Sequence, residues 1–226
     1  MHHGRVRQSQ IDEADSLYRR DGARLWRGIL AFTGDREVAN DSVAEAFAQA
    51  LRRERTVRRL APWIWRGAFR IAAGEMAGRS KFADVGVPEE AVGLRKDERF
   101  DDPSGSLMAA LRKLPPMQRG ALVLRYHSGY TVREGARILG STSLTVGIRL
   151  SRGRRRLGDL MGMGRHDVKD TFRALDRIPA PDLWRRIQKR RPAEIFLGPS
   201  WRRVATAALA LAAAAAGVAL AVRSFG

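Results

Sequence analysis

The sequence predicts an all-α protein: two small helical domains joined by a linker, then an amphipathic segment and a single membrane-spanning helix at the C-terminus. Three observations carry this expectation. Apolar residues recur near helical period through most of the chain. One stretch, residues 131–157, holds paired capping signals for two helices around a glycine turn. Residues 204–222 contain no charge, and eleven of them are alanine. The expected divisions are 10–80 and 104–160 for the two domains, 81–103 for the linker, 161–200 for the amphipathic segment and 201–226 for the span.

In chain order, Ile11, Ala14, Leu17, Tyr18, Leu25, Ile29 and Leu30 predict a helix from Ile11 to Phe32. Thr33-Gly34-Asp35 reads as a stop followed by a cap for the next helix, about Arg36 to Arg52. That helix buries Val43, Ala46, Phe47, Ala50 and Leu51. Pro62 suits the first position of a third helix, where its missing N–H costs nothing. This helix mixes Trp63, Trp65 and Phe69 with Arg66 and Arg70. Rings that stack on bases beside guanidinium groups that hold phosphates suit single-stranded nucleic acid. The plainer alternative is that these rings are core. Residues 80–103 are acidic and broken by glycine and Pro88, which predicts a linker.

Ser104 or Ser106 can cap a helix through Leu114, and Pro115-Pro116 breaks it and starts the next, Met117 to His127. Thr131 and Glu134 form a capping box, Gly140 fits a left-handed helix end, and Thr142 can cap the following helix. Two short helices around such a turn form a helix-turn-helix. In the second of them, Val146, Leu150, Gly153 and Leu157 recur at i, i+4, i+7 and i+11 as a core-facing stripe. Thr145, Arg149, Arg152 and Arg156 follow the same spacing on a neighbouring stripe. Arginine there can grip phosphates or pair with guanine in the major groove. A solvated, merely basic helix would carry the same charges.

Beyond Leu157, Val168, Phe172, Leu175 and Ile178 fall on one helical face until Pro179-Ala-Pro181. Leu183, Trp184 and Ile187 begin another short amphipathic piece among Arg185, Arg186, Lys189, Arg190 and Arg191. The uncharged run 204–222 would extend roughly 28 Å as a helix, near the hydrocarbon thickness of a bilayer. Trp201-Arg-Arg203 precedes it, so the positive-inside rule puts the preceding residues on the cytoplasmic side of the cell membrane and the C-terminus outside. If the alanine-rich helix does not insert, the expected location is the cytoplasm.

The chain has 226 residues, a formal net charge of +18 and no cysteine. The charge favours an anionic partner, either nucleic acid or an acidic membrane face. The missing cysteines exclude disulfides and thiolate metal sites. The histidines are scattered and no phosphate-cradling loop precedes a helix. No catalytic constellation, metal site or cofactor is expected, and the chain is not expected to be an enzyme.

Leu114-Pro-Pro-Met-Gln-Arg119, Leu122-Val-Leu-Arg-Tyr126, Gly129-Tyr-Thr131, Ala136-Arg-Ile-Leu-Gly140, Thr145-Val146 and Arg149-Leu150 resemble region 4 of the extracytoplasmic-function (ECF) RNA polymerase sigma factors. Gly34-Asp35, Asp41, Val43, Glu45 and Phe47 resemble the helix of sigma region 2 that docks on polymerase. Trp63-Ile64, Arg66 and Ala68 resemble its promoter-melting helix. The sequence departs from the family pattern at Ser42, Gly67, Arg70, Leu144 and Gly147, so base preferences do not transfer from relatives.

The resemblance implies a factor that recruits core RNA polymerase, reads two elements of promoter DNA and helps open the duplex. Taken with the stripes above, the candidate DNA contacts are Thr142, Thr145, Arg149, Arg152 and Arg156, with Trp63, Trp65, Arg66 and Arg70 on the third helix. The implied polymerase contacts are Asp41, Glu45 and Phe47. An anti-sigma factor is a further candidate partner, and the C-terminal helix makes the membrane another. Two other readings stay open. One is a membrane-anchored helix-turn-helix regulator that acts without polymerase. The other is an interaction protein that inhibits another sigma factor through its C-terminal helices.

Overall fold

The computed structural model describes residues 2–52, 59–83, 103–164 and 167–190, with side chains described from residue 11 onward and, in the third helix, as far as residue 78. All the described elements are helical, and they belong to one unit, Met1–Arg191. In order they are α1 (His2–Thr33), α2 (Arg36–Arg52), α3 (Leu60–Ala83), α4 (Pro103–Arg112), α5 (Pro116–Leu122), α6 (Val132–Leu139), α7 (Ser143–Met161), α8 (Val168–Thr171) and α9 (Trp184–Lys189). The last turn of α5 widens into a π turn over Val123–His127, and α8 tightens into a 3-10 turn over Phe172–Arg177.

Local chemistry sets most of the boundaries. Gly34 ends α1 with φ 78° and donates its N–H to the Leu30 carbonyl at 2.7 Å. Asp35 then caps α2, its Oδ1 accepting from the N–H groups of Glu37 and Val38 at 2.7 and 2.9 Å. Pro62 sits one turn into α3 rather than at its first residue. The first-turn N–H groups of a helix lack carbonyl partners, so a proline there removes nothing. Helix α7 runs past Leu157 to Met161, where Gly162 closes it at φ 64°.

Helices α1, α2 and α3 pack together around Leu25, Ile29, Phe32, Val43, Phe47, Ile64 and Phe69, all buried. Trp26 lies among them, and its indole N–H donates to the Asn40 side chain at 2.7 Å. The second half does not stand apart. Helices α4 and α5 also pack on α1, α6 packs on α3, and Leu107, Leu111, Leu122 and Leu124 join the same core.

Segment 161–190, expected as a juxtamembrane piece, also belongs to this core. Val168, Phe172, Leu175, Ile178, Leu183 and Ile187 are buried against protein, with α8 against α7, its 3-10 turn beside α1 and α4, and α9 on α2. Each such side chain contributes about 1.5–3 kcal/mol when taken fully from water. An amphipathic face reads the same in sequence whether it meets lipid or protein.

The expected membrane-spanning helix is likewise corrected. No helix among the described residues is long and apolar enough to cross a membrane, and residues 201–226, where it was expected, lie outside the described residues. The expectation rested on the absence of charge in 204–222 rather than on apolar bulk. Eleven of those nineteen residues are alanine, with one methyl group each, so the hydrophobicity of the run is modest. Among the described residues the fold class is all-α, with no membrane-spanning helix.

Two consequences can be measured. Gly147 lies mid-helix in α7, and a Cβ built there meets nothing within 4 Å. Gly147→Ala is therefore expected to raise unfolding free energy by about 1 kcal/mol, read by denaturant titration. His127 is enclosed where α1, α5 and the 3-10 turn meet, its Nε2 3.0 Å from the Arg24 carbonyl oxygen. Burial lowers its pKa below the ordinary 6.5. The unfolded chain takes up this proton first, so the stabilisation is full above about pH 6.5 and declines as pH falls toward the lower folded value. Stability measured from about pH 8 to about pH 5 should fall less steeply for His127→Gln than for the natural chain.

Candidate nucleic-acid interface

The helix-turn-helix consists of α6, the Gly140 turn and α7. Thr131 and Glu134 cap α6 reciprocally. The Thr131 hydroxyl accepts from the Glu134 N–H at 3.3 Å, and Glu134 Oε2 accepts from the Thr131 N–H at 3.0 Å. These bonds hold the Glu134 carboxyl below its usual pKa. Gly140 takes φ 63°, and the Thr142 hydroxyl accepts from the Thr145 N–H at 3.2 Å to start α7. Helix α7 seats on α5 through Gly153, where a Cβ would come within 3.1 Å of a Leu122 methyl. The small residue sets how closely the two helices approach, and Val146 and Leu157 lie buried on the same stripe.

The basic stripe named from sequence is divided. Arg152 and Arg156 are exposed, whereas Thr145 and Arg149 are half-buried. The Arg149 guanidinium lies 3.5 Å from the Ser141 hydroxyl, which ties it to the turn. Thr142 is exposed but its hydroxyl is committed to the cap. The stripe opposite the core is Leu144, Ile148, Ser151 and Arg155, all exposed, with Leu144 at 76% and Ile148 at 45%. This stripe is not among the contacts expected from sequence, where Leu144 stands only as a departure from the family pattern. Its signal was available: i, i+4, i+7, i+11 spacing half a turn from Val146 and Leu157. Exposed apolar side chains on a groove-entering helix can pack on the methyl group of thymine. Not every basic residue of this half faces outward. Arg119 is buried, donates to the Leu114 carbonyl at 3.3 Å and has its pKa lowered to about 10 by burial.

The melting-helix residues are also divided. Arg66 is exposed, while Trp63 and Arg70 are half-buried. Burial and the neighbouring Arg66 charge lower the Arg70 pKa. Trp65 departs from the expectation. It is 1% exposed, stacked at 6.1 Å on Phe69 and meeting Tyr130 edge-on at 5.3 Å. Burial pushes the Tyr130 phenol up to about 12. In this arrangement the Trp65 ring has no free face for a base, because α3 uses it to close against the loop leading into α6.

The expected polymerase contacts lie on α2. Phe47 is buried beneath Tyr18, ring centroids 5.3 Å apart. Asp41 and Glu45 are paired with arginines from the far end of the described chain. Arg186 and Arg190 both donate to Asp41, and Arg190 Nε donates to Glu45 at 2.9 Å.

Residues 104–157 match the family "Sigma-70, region 4", a stretch that takes in α4 through the exposed face of α7. The wider chain is similar to the ECF RNA polymerase sigma factor BldN of Streptomyces coelicolor, at 29% identity over 149 residues, covering 60% of this chain and 56% of that protein. It is also similar to the ECF RNA polymerase sigma factor SigM of Mycobacterium tuberculosis, at 27% identity over 151 residues, covering 66% of this chain and 76% of that protein. The match to BldN thus spans little more than half the length of that relative. The chain carries an ECF-type sigma-70 region 4 domain and is homologous to ECF sigma factors.

The two outward stripes should behave differently on DNA. Arg152→Ala and Arg156→Ala are expected to weaken binding evenly across sequences and to lower the slope of log K against log salt by about one each. Leu144→Ala should instead weaken only sites with thymine at one position, leaving the salt slope unchanged. Fluorescence titration against a thymine-to-uracil series distinguishes the two.

Proposed function

We propose that this chain is an RNA polymerase sigma factor: it binds core polymerase and directs initiation at promoters read in part by α7. The observation that carries the reading is the doubly capped helix-turn-helix, with an exposed arginine-bearing α7, inside a stretch matching sigma region 4. Asp41 and Glu45 on α2 supply the acidic part of the polymerase-docking face, and Arg66 and Arg70 on α3 the basic part of a single-strand contact. Bond-making belongs to the polymerase, so the chain itself acts by placement and is not an enzyme.

A second reading is favoured by one observation. Trp65 is buried and the α2 carboxylates are paired with Arg186 and Arg190, so neither the Trp65 ring nor an unpaired acid at Asp41 or Glu45 is offered while α7 stays exposed. Under that reading the chain binds duplex DNA and regulates without polymerase.

Runoff transcription with purified core polymerase and a pool of genomic fragments separates the two. The sigma reading expects transcripts that depend on the added chain, together with permanganate-reactive thymines near each start site. Bound fragments with neither transcripts nor reactive thymines would leave the regulator.

A further inference from the structure

We propose that residues 179–190 are an internal competitor for the α2 face, a strap that must leave before core polymerase can dock. This rests on the reading above that Asp41 and Glu45 meet polymerase. The strap lies outside the region 4 match, which ends at residue 157, so building the helix-turn-helix does not require it.

The segment has two limbs. The first, Val168–Ile178, is anchored by buried Val168, Phe172, Leu175 and Ile178 and by Arg27, whose Nε donates to the Ile178 carbonyl at 2.7 Å. Pro179-Ala180-Pro181 follows, a stretch in which two prolines remove two N–H donors and hold the chain extended. The second limb, Leu183–Arg190, lies along α2. The Leu183 N–H donates to the Tyr18 hydroxyl at 2.6 Å, and Trp184 sits 5.2 Å from the Tyr18 ring. Helix α9 then sets Arg186 and Arg190 on Asp41 and Glu45, while Arg52 donates to the Arg190 carbonyl at 2.9 Å.

The contacts are chemically matched to the face they cover. Two guanidinium groups neutralise two carboxylates one helical turn apart, so a partner that needs those carboxylates cannot share them. The charged part of the hold is also releasable. Asp41, Arg186 and Arg190 keep partial exposure, and such pairs contribute little and weaken with salt. A six-residue helix does not persist without the surface that supports it. The second limb buries Leu183 and Ile187, compared with four apolar anchors in the first, and is therefore the part that swings from the proline hinge while the first stays in the core.

The test uses the full chain. Arg186→Glu with Arg190→Glu, and separately Trp184→Ala, leave every residue of α1–α7 unchanged. Both are expected to bind core polymerase several-fold to tenfold more tightly, with unaltered helix content by circular dichroism. The Arg186→Lys, Arg190→Lys chain should stay near the natural affinity. The natural sequence has no cysteine, so a nitroxide at Gln188→Cys, an exposed position on α9, reports the strap alone. Its spectrum should become mobile when core is added. Core binding with an unchanged spectrum, or folded variants that bind no tighter than the natural chain, would overturn the strap and leave the sigma reading standing. If no version binds core, the sigma reading fails and the strap falls with it.

Discussion

Helix α1 is the wall on which the described structure is assembled. Its stripe of Leu25, Ile29 and Phe32 packs against α2 and α3, while other positions on it meet α4, α5 and the 3-10 turn after α8. The constraint is one of size. The later helices are short, and α6, α8 and α9 have eight, four and six residues. Helices of that length hold only when an apolar face is buried against something larger. A long helix exposing apolar residues on several sides can serve them all, and this joins the two halves into one core.

That arrangement shapes what each half can present. Helix α7 keeps its outer stripe free because α5 takes its inner one at Gly153. Helix α3 gives Trp65 to the interface with the loop before α6, so the ring that would suit a base serves as packing instead. Tyr130 is its counterpart, held by the same burial that raises its pKa. The outer face of α7 and the carboxylates of α2 are therefore not equally open. The second helix of the helix-turn-helix is presented, whereas α9 covers Asp41 and Glu45 on α2.

Several features were legible in the residues because they depend on neighbours in the chain. The Thr131–Glu134 box, the left-handed Gly140, the Thr142 cap and the Asp35 cap each need only a few consecutive residues, and each forms as the spacing implies. The core stripe of α7 follows from the helical period. The reading became unsure where a side chain had two possible surroundings. Trp63, Trp65 and Phe69 look alike in sequence, yet Trp65 and Phe69 are core and Trp63 is half-buried. Leu144 and Ile148 are not among the contacts expected from sequence, yet both are exposed on the outer face of α7.

By itself, then, the sequence determined the helices, their caps, the helix-turn-helix and the basic character of α7. Hydrogen bonds and side-chain periodicity within a few residues act on the chain wherever it folds. Only the tertiary structure decided the company each face keeps. Val168, Phe172, Leu175 and Ile178 found other helices rather than a bilayer, and Arg186 and Arg190 crossed to carboxylates about 145 positions away. Burial and ion pairing act through space, and a pattern along the chain does not say which surface will come to meet it.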